Sequence, residues 1–408
     1  MNTGEVSVWV VLRRNIAPLY LPMGAVNLGG GILLPVVPLY LAEEGISLSM
    51  IGLIIASTGI GAAAIGIPAS AYAERFGNDR LLFTAIVAVA VSAFLFGFTD
   101  LVLVLLLLRI LWGFGFGGII QSRQLFIART VAGPVRGRVN SLVGGTNRFA
   151  FVVGPLIGGA IVDQWGFRAA FIAAGAVVAG GLVWVVLPGG PEGPPATASE
   201  QRMRVGPALR RHRGLLLRVG LGPMLIIAAR HGRFVVIPLI GDGLGLSASA
   251  IGTLVAVGTA ADFVLFPVAG YVMDRFGRLH AMIPAFTLMS TGLILLGFAE
   301  STGAVVVATV VIGMGNGLSA GTILTLGTDL APADAQGPFL AGFGLMGNVG
   351  LFVGPAVVGW SAGAIGLDAS AFALAGLLLL GVAWIALVVG ETGGSDGRQR
   401  GPNRTTAR

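Results

Sequence analysis

Long apolar stretches separated by short polar segments make up most of this 408-residue chain. A helix needs about 20 mostly apolar residues to cross the hydrocarbon core of a bilayer. The stretches do not alternate with period two, so they predict helices and not the strands of a barrel. We number twelve predicted spans in chain order: 16–41, 50–73, 80–98, 101–128, 139–162, 168–188, 215–240, 249–273, 280–298, 303–328, 338–361 and 367–390. The predicted fold class is an all-α integral membrane protein with twelve transmembrane helices.

The composition is typical of an integral membrane protein. Hydrophobic residues make up 55% of the chain and charged residues only 11%, against about 25% charge in a soluble domain. There is no cysteine, and the three histidines are widely separated, so no disulfide and no metal centre are expected. No nucleotide-binding loop and no nucleophile–base pair is present. We therefore expect neither an enzyme nor a cofactor.

The placement of arginine predicts the orientation. All 25 basic residues are arginine. The N-terminal tail, the loops after even-numbered spans and the C-terminal tail hold 19 of them, span edges included, and the opposite loops hold only Arg168. Positive residues favour the cytoplasmic side, so both termini are predicted to be cytoplasmic, in the cell membrane. This placement also explains the net charge of +7 without a nucleic-acid partner.

The chain contains two related halves at a constant offset of 200 residues. Gly45-x-Ser47-x-Ser49 recurs as Gly245-x-Ser247-x-Ser249, and the same offset holds for later glycines and prolines. A Pro- and Gly-rich stretch separates the halves. We predict an N-terminal six-helix bundle (1–188), a cytoplasmic linker (189–214), a C-terminal six-helix bundle (215–390) and a cytoplasmic tail (391–408). Six spans per half give the two bundles the same orientation, which makes them parallel repeats.

A charged motif follows spans 2 and 8. The second copy reads Gly270-x-x-x-Asp274-Arg275-x-Gly277-Arg278, and the first is the degenerate Ser70-x-x-x-Glu74-Arg75-x-Gly77-Asn78. The motif resembles the cytoplasmic loop signature of the major facilitator superfamily, where it latches the outward-open state. The resemblance implies a conformational latch, with an ordinary charged turn as the alternative, formed by Glu74, Arg75, Gly77, Asp274, Arg275, Gly277 and Arg278.

Two further motifs extend the resemblance over nearly the whole chain. Span 4 carries Arg109-x-x-x-Gly113-x-Gly115, which is similar to the family's motif with an intramembrane arginine. Span 5 resembles the signature associated with drug:proton antiporters, and span 11 has its own version. Proline kinks a helix and glycine permits close packing. The kink residues implied, with packing alone as the alternative, are Gly154, Pro155, Gly158, Gly159, Gly354 and Pro355.

Polar residues within the spans supply the candidate site. In the resembled family, spans 1, 4, 7 and 10 line a midplane cavity between the halves. The cavity candidates, from these spans and from span 5, are Asn27, Gln121, Arg148, Arg230, Arg233 and Asn316. The surplus of arginine over acid in the spans favours an anionic or carboxylate-bearing substrate.

Asp262 is the one acid deep inside a span. It lies at the same depth as Arg230, so we expect the two to pair. A proton can alternate with that pairing, whereas a static salt bridge is the alternative. The predicted proton-coupling residues are Asp262, Arg230, His231 and Arg109.

The sequence therefore favours a proton-coupled secondary transporter that works by alternating access. The leading function is efflux of a small amphipathic or anionic compound. The alternative is proton-coupled or facilitated uptake of a small metabolite such as a sugar or carboxylate, and a non-transporting membrane receptor is a distant third. The expected partners are the substrate, protons and the lipid bilayer, and we expect a monomer.

Overall fold

A computed structural model describes residues 20–66, 68–131, 133–186 and 210–392. Within these ranges the chain is helical, with short turns and no strand. The predicted linker up to residue 209 and the tail beyond residue 392 lie outside the described residues.

Six helices form the first half and follow spans 1–6. They are α1 (Leu21–Glu43), α2 (Leu48–Gly66, continued as Pro68–Phe76), α3 (Asn78–Phe96), α4 (Val102–Thr130), and α5 and α6, which together form Gly133–Gly180 and are followed by Val183–Val186. The backbone of Gly166 leaves the helical region, with φ 81° and ψ 174°. We call the part before this glycine α5 and the part after it α6.

The second half repeats this arrangement. Its helices are α7 (Arg213–Gly243), α8 (Ala248–Phe276), α9 (Arg278–Gly297), α10 (Thr302–Leu318, continued as Thr322–Leu330), α11 (Gln336–Ala364) and α12 (Leu367–Trp384, ending in the π-helical turn Ile385–Val389). The described residues include 11 helical segments that are long and apolar enough to cross a membrane. One of them, Leu142–Val186, has 45 residues and is long enough to cross twice. The twelve-helix prediction is therefore confirmed.

The chain forms two compact units. Unit 1 comprises residues 1–46, 57–201 and 247–256, and unit 2 comprises residues 47–56, 202–246 and 257–408. Each unit thus consists of one half of the chain, apart from one short exchange. The first turns of α2 belong to unit 2, and the first turns of α8 belong to unit 1.

The same helix pairs pack in both units. In unit 1, α1 packs on the α5–α6 segment, and α3 packs on both α4 and the α5–α6 segment. In unit 2, α7 packs on α11 and α12, and α9 packs on α10 and α12. The duplication read from the sequence therefore corresponds to a duplicated set of helix contacts.

Glycines on α4 and α10 bring backbones into direct contact. A Cβ atom added at Gly115 would lie 2.6 Å from the carbonyl oxygen of Ala85 on α3. A Cβ atom added at Gly315 would lie 2.6 Å from the carbonyl oxygen of Ala285 on α9. Both members of the second pair are 200 residues from those of the first. Small residues let helices in lipid approach closely, so the glycine series of span 4 is explained by packing.

This contact predicts that Gly115→Ala destabilises the protein. The new methyl group would meet backbone atoms that cannot rotate away, and such overpacking costs about 1–3 kcal/mol. The free energy of unfolding in detergent measures the effect. Gly376→Ala in α12 is the matched control, because a Cβ atom there meets nothing within 4 Å. Its expected effect is neutral or stabilising by less than about 1 kcal/mol, and equal losses in both variants would refute the packing role.

Candidate functional site

A buried carboxylate lies at the centre of a polar cluster in unit 2. Asp262 on α8 is only 6% exposed. Its Oδ2 atom accepts a 2.6 Å hydrogen bond from the Nδ2 atom of Asn316 on α10. The Nη2 atom of Arg233 on α7 lies 3.8 Å from the same oxygen. Three helices therefore supply one acid, one amide and one guanidinium, and all three side chains are buried.

Close backbone packing positions this cluster. A Cβ atom at Gly317 on α10 would lie 2.5 Å from the carbonyl oxygen of Asp262 on α8. A Cβ atom at Gly258, one turn earlier on α8, would lie 2.9 Å from the carbonyl oxygen of Thr309. Because α8 and α10 touch through glycine, the amide of Asn316 reaches the carboxylate directly.

A break in α10 adds a second feature. The helix stops at Leu318, and Gly321 has the left-handed φ of 81° before the helix resumes at Thr322. The last carbonyl groups of a helix lack partners within it and carry partial negative charge. Arg230 on α7 meets this end: its Nη2 atom donates a 2.5 Å hydrogen bond to the Oγ atom of Ser319.

The other contacts of Arg230 follow the same pattern. Its Nη2 atom lies 3.5 Å from the carbonyl oxygens of both Asn316 and Ser319. Its guanidinium carbon lies 5.3 Å from the centre of the Phe286 ring, a distance typical of a cation–π contact. Arg230 therefore compensates the polar end that the break creates.

The structure shows an ion pair of Asp262 with Arg233, a partner that the sequence does not single out. The sequence predicts Arg230 as the partner because the two residues lie at equal depth, and that pairing stays a prediction. Depth along two helices does not determine which side chains face each other, since successive residues of a helix point about 100° apart. His231 lies between these arginines in sequence and is exposed.

The cluster has no polar counterpart in the first half. The positions 200 residues before Arg230, Arg233, Asp262, Asn316 and Ser319 are Gly30, Leu33, Ala62, Phe116 and Ile119. The duplicated scaffold therefore carries this chemistry in one copy only.

Unit 1 holds the remaining cavity candidates, Asn27, Gln121 and Arg148, together with Arg109. The guanidinium carbon of Arg109 lies 5.8 Å from the centre of the Trp112 ring, and its buried Nε atom has no hydrogen-bond partner among the described residues. Gln121 donates a 3.4 Å hydrogen bond to the carbonyl oxygen of Gly66. Asn27 is buried, and Arg148 is half-buried.

The two latch motifs differ as their sequences suggest. Both are tight turns whose glycines, Gly77 and Gly277, have φ of 94° and 98°. In the complete copy, the Nε atom of Arg278 lies 3.1 Å from the Oδ2 atom of Asp329, and its Nη1 atom lies 3.9 Å from Asp274. In the degenerate copy the residue that corresponds to Arg278 is an asparagine.

The arginines beside these turns contact aromatic side chains. The Nη1 atom of Arg275 is 3.2 Å from the hydroxyl of Tyr271. The guanidinium carbon of Arg75 lies 5.1 Å from the centre of the Phe76 ring. Glu74 and Arg75 are exposed, so the charges of the degenerate copy face solvent. The latch role stays a prediction.

The glycine–proline motifs pack helices together. Pro155 and Pro355 lie inside continuous helices. A Cβ atom at Gly154 on α5 would lie 2.5 Å from the carbonyl carbon of Gly31 on α1. The corresponding Gly354 on α11 abuts the carbonyl oxygen of Ala228 on α7 in the same way, and Gly158 abuts that of Ile32. These contacts account for the glycines through packing, while the kink role stays a prediction.

Comparison with known proteins decides the family. The family model described as Major Facilitator Superfamily matches residues 23–234 and 219–407. The chain belongs to the Major Facilitator Superfamily. It is therefore a multi-pass membrane transporter and not an enzyme, and its family binds small-molecule substrates in a membrane.

Relatives within the superfamily include multidrug resistance proteins. Multidrug resistance protein 1 of Bacillus subtilis is 24% identical over 356 residues, which cover 81% of this chain and 85% of that protein. An uncharacterised superfamily transporter from Methanocaldococcus jannaschii is 21% identical over 371 residues, which cover 87% of this chain and 93% of that protein.

Solved structures of superfamily transporters share the fold. A bacterial homologue of the human lysosomal transporter Spinster, inward-facing and unoccupied, matches with a TM-score of 0.75 at 15% identity and covers 92% of this chain and 96% of its own. The nucleoside transporter NupG matches with a TM-score of 0.74 at 12% identity, covering 91% and 99%. The human organic anion transporter MFSD10 matches with a TM-score of 0.67 at 16% identity, covering 91% and 99%.

The buried pair of Asp262 and Arg233 predicts strong energetic coupling between them. Removing one partner takes a charged contact away from the other buried group, so Asp262→Asn and Arg233→Gln should each cost about 3–5 kcal/mol of stability. The double variant Asp262→Leu/Arg233→Met should recover most of that loss, because it removes both charges of the pair. Thermal unfolding in detergent measures all three. Additive losses would show that the two side chains act independently, and the exposed Asp274→Asn is the control.

Proposed function

We propose that this chain is a secondary active transporter that exports a small amphipathic compound in exchange for protons, by alternating access. The observation that carries the proposal is the buried carboxylate of Asp262, held by Arg233 and Asn316. An ionisable residue inside a membrane span is costly and marks a functional site by default.

The coupling step is a change of charge at Asp262. When it is ionised, the Asp262 carboxylate accepts a hydrogen bond from the amide of Asn316 and faces the guanidinium of Arg233. Protonated, it loses its charge and with it the attraction to Arg233. A substrate that presents a positive group or a hydrogen-bond donor competes with the proton for this carboxylate. Because the two then occupy the site in turn, substrate moves one way and protons move the other.

Two further observations support export. The Bacillus subtilis relative is a multidrug resistance protein, and the Gly154-Pro155 motif resembles the signature associated with drug:proton antiporters. Neither identifies the compound. An amphipathic compound suits a site in which one buried acid lies among apolar helices.

A second candidate function is proton-coupled uptake of an organic anion. The ion pair of Asp262 with Arg233 favours this function, because an anion competes with Asp262 for Arg233. The displaced carboxylate then takes up a proton, so anion and proton bind in the same state and move together. The excess of intramembrane arginine over acid favours the same class of substrate.

Proton movement in proteoliposomes separates these functions. The protein is reconstituted with a pH-sensitive dye inside and challenged with cationic drugs, anionic drugs and carboxylates. We expect a substrate-dependent proton flux that Asp262→Asn reduces at least tenfold, because the amide cannot ionise. Protons moving against the substrate indicate exchange, and protons moving with it indicate co-transport.

Controls keep this result interpretable. Asp368→Asn removes an exposed acid from the first turn of α12 and should leave the flux unchanged. Asp262→Asn/Arg233→Gln removes both charges of the pair, so a flux lost in both variants reflects coupling and not misfolding. Coupled flux that persists in both would return Asp262 to a structural role.

We also propose that the protein is a monomer in the cytoplasmic membrane with both termini inside. The orientation in this proposal rests on the 19-to-1 distribution of loop arginines and on the rule that positive residues favour the cytoplasmic side.

The absence of native cysteine makes this orientation testable. Single cysteines introduced at exposed positions of the loops are the only thiols in the chain. We expect Trp165→Cys, in the turn between α5 and α6, to react with a membrane-impermeant maleimide in whole cells. Arg80→Cys, at the start of α3, should react only after the membrane is permeabilised. The reverse pattern would overturn the assigned orientation.

A further inference from the structure

A carboxylate at the end of α5 holds the first residues of α8. The Oδ1 atom of Asp163 accepts a 3.0 Å hydrogen bond from the backbone N–H of Ala248, and its Oδ2 atom accepts a 3.0 Å bond from that of Ser249. Asp163 lies three residues before the bend at Gly166. All of these residues belong to unit 1.

This geometry suits an ionised acid. The first N–H groups of a helix have no partner within it, and the helix dipole gives that end a partial positive charge. A carboxylate that accepts hydrogen bonds from two such N–H groups makes charge-assisted hydrogen bonds, which are stronger than neutral ones. The Oγ atom of Ser247 accepts the next N–H, that of Ala250, at 3.3 Å. The start of α8 is therefore capped in part by a residue distant in sequence.

Beside this contact the two helices touch backbone to backbone. A Cβ atom at Gly252 on α8 would overlap the carbonyl oxygen of Pro155 on α5, and a Cβ atom at Gly159 would lie 2.9 Å from the Cα atom of Ser249. The glycine–proline motif of α5 therefore lies in a close backbone contact between α5 and α8, which we call the α5–α8 seam. Asp163 lies at one end of this seam.

An equivalent seam in unit 2 lacks the acid. A Cβ atom at Gly52 on α2 would lie 2.5 Å from the Cα atom of Gly359 and 2.5 Å from the carbonyl oxygen of Pro355, both on α11. The position 200 residues after Asp163 is Gly363. A Cβ atom there would overlap the Oγ atom of Ser49, at the start of α2. Glycine at position 363 supplies no carboxylate, so the acid that caps α8 has no counterpart in the second seam.

We propose that Asp163 is a conformational clasp, which holds the start of α8 against α5 in one state of the transport cycle and is released in the other. The inference rests on the proposed function, since it requires alternating access. Helix α8 begins in unit 1 and continues in unit 2. The clasp therefore acts on a helix whose later residues carry the buried acid Asp262. Partial burial raises the pKa of the Asp163 carboxyl, but hydrogen bonds from Ser249, Ser247 and Ala248 outweigh it and hold that pKa below its ordinary value. The clasp is therefore charged at neutral pH, so conformational change and not protonation must release it.

Distances between spin labels test the clasp directly. Labels on Gln164→Cys and Thr253→Cys report the α5–α8 seam, and labels on Leu53→Cys and Ala364→Cys report the α2–α11 seam. All four positions are exposed, and no native thiol interferes. Replacing a residue that caps a helix N-terminus by alanine shifts an equilibrium about fivefold. We therefore expect Asp163→Ala to raise the ratio of the long-distance to the short-distance population about fivefold at both seams.

The second seam separates a clasp from a simple cap. Lengthening at the α5–α8 seam alone would mean that Asp163 caps α8 locally, and the proposal would be wrong. Unchanged distances at both seams would also overturn it. Asp163→Asn preserves the shape of the side chain while removing its charge, so it should shift the ratio of long to short distances in the same direction by less. This variant also serves as a check in case the alanine variant misfolds. Asp368→Ala is the matched control and should leave both distances unchanged.

The outcome is independent of the transport assay. Lengthening at both seams without any coupled proton flux would support the clasp and count against the proposed export. A proton flux that depends on Asp262, together with spin-label distances that Asp163→Ala leaves unchanged, would support the transporter and refute the clasp.

Discussion

The hydrocarbon core of a bilayer offers no water, so every polar group placed there must find its partner within the protein. This constraint explains why the described chain is helical throughout, because helices pair their backbone groups internally. It also explains what happens where a helix is interrupted. When α10 stops before Gly321, its terminal carbonyl groups need a donor, and Arg230 on α7 supplies one through Ser319. The break and the arginine therefore support each other, since the helix end offers acceptors to Arg230 and Arg230 supplies a donor to the helix end.

Glycine determines how closely these partners approach. The carboxylate of Asp262 meets Asn316 at 2.6 Å because Gly317 lets the α10 backbone lie against the carbonyl group of the same aspartate. A larger residue at Gly317 would separate α8 from α10 and lengthen that hydrogen bond. The high glycine content, 66 residues, is therefore part of the chemistry as well as of the packing. It lets short polar side chains reach one another across helix pairs that long side chains would hold apart.

Hydrophobic periodicity and arginine placement predict the fold, because both act locally and leave a direct trace in the sequence. Twelve spans and the division between spans 5 and 6 near Gly166 follow from them, and the duplication follows from motifs that recur at an offset of 200 residues. The side-chain partners do not follow. Equal depth singles out Arg230 as a partner of Asp262 but gives no sign of Arg233, which rotation about the helix axis brings there. The break in α10 is signalled only by the small residues Ser319, Ala320 and Gly321. No pattern in the sequence marks Asp163 as a capping residue, because its partners are backbone groups 85 and 86 residues away.

Duplication accounts for the scaffold, and departure from duplication accounts for the chemistry. Backbone contacts such as Gly115 with Ala85 recur at an offset of 200 residues, since a change at either glycine would force two helices apart. Glu74 and Arg75 recur as Asp274 and Arg275, but the charged groups of the candidate site do not recur. The buried acid and the complete copy of the latch motif belong to the second half, while Arg109 and Asp163 belong to the first. The two halves are parallel repeats, so the shared backbone packing can be built twice with the same side facing the cytoplasm. What distinguishes the halves is then a few charged side chains supported by nearly identical backbone packing.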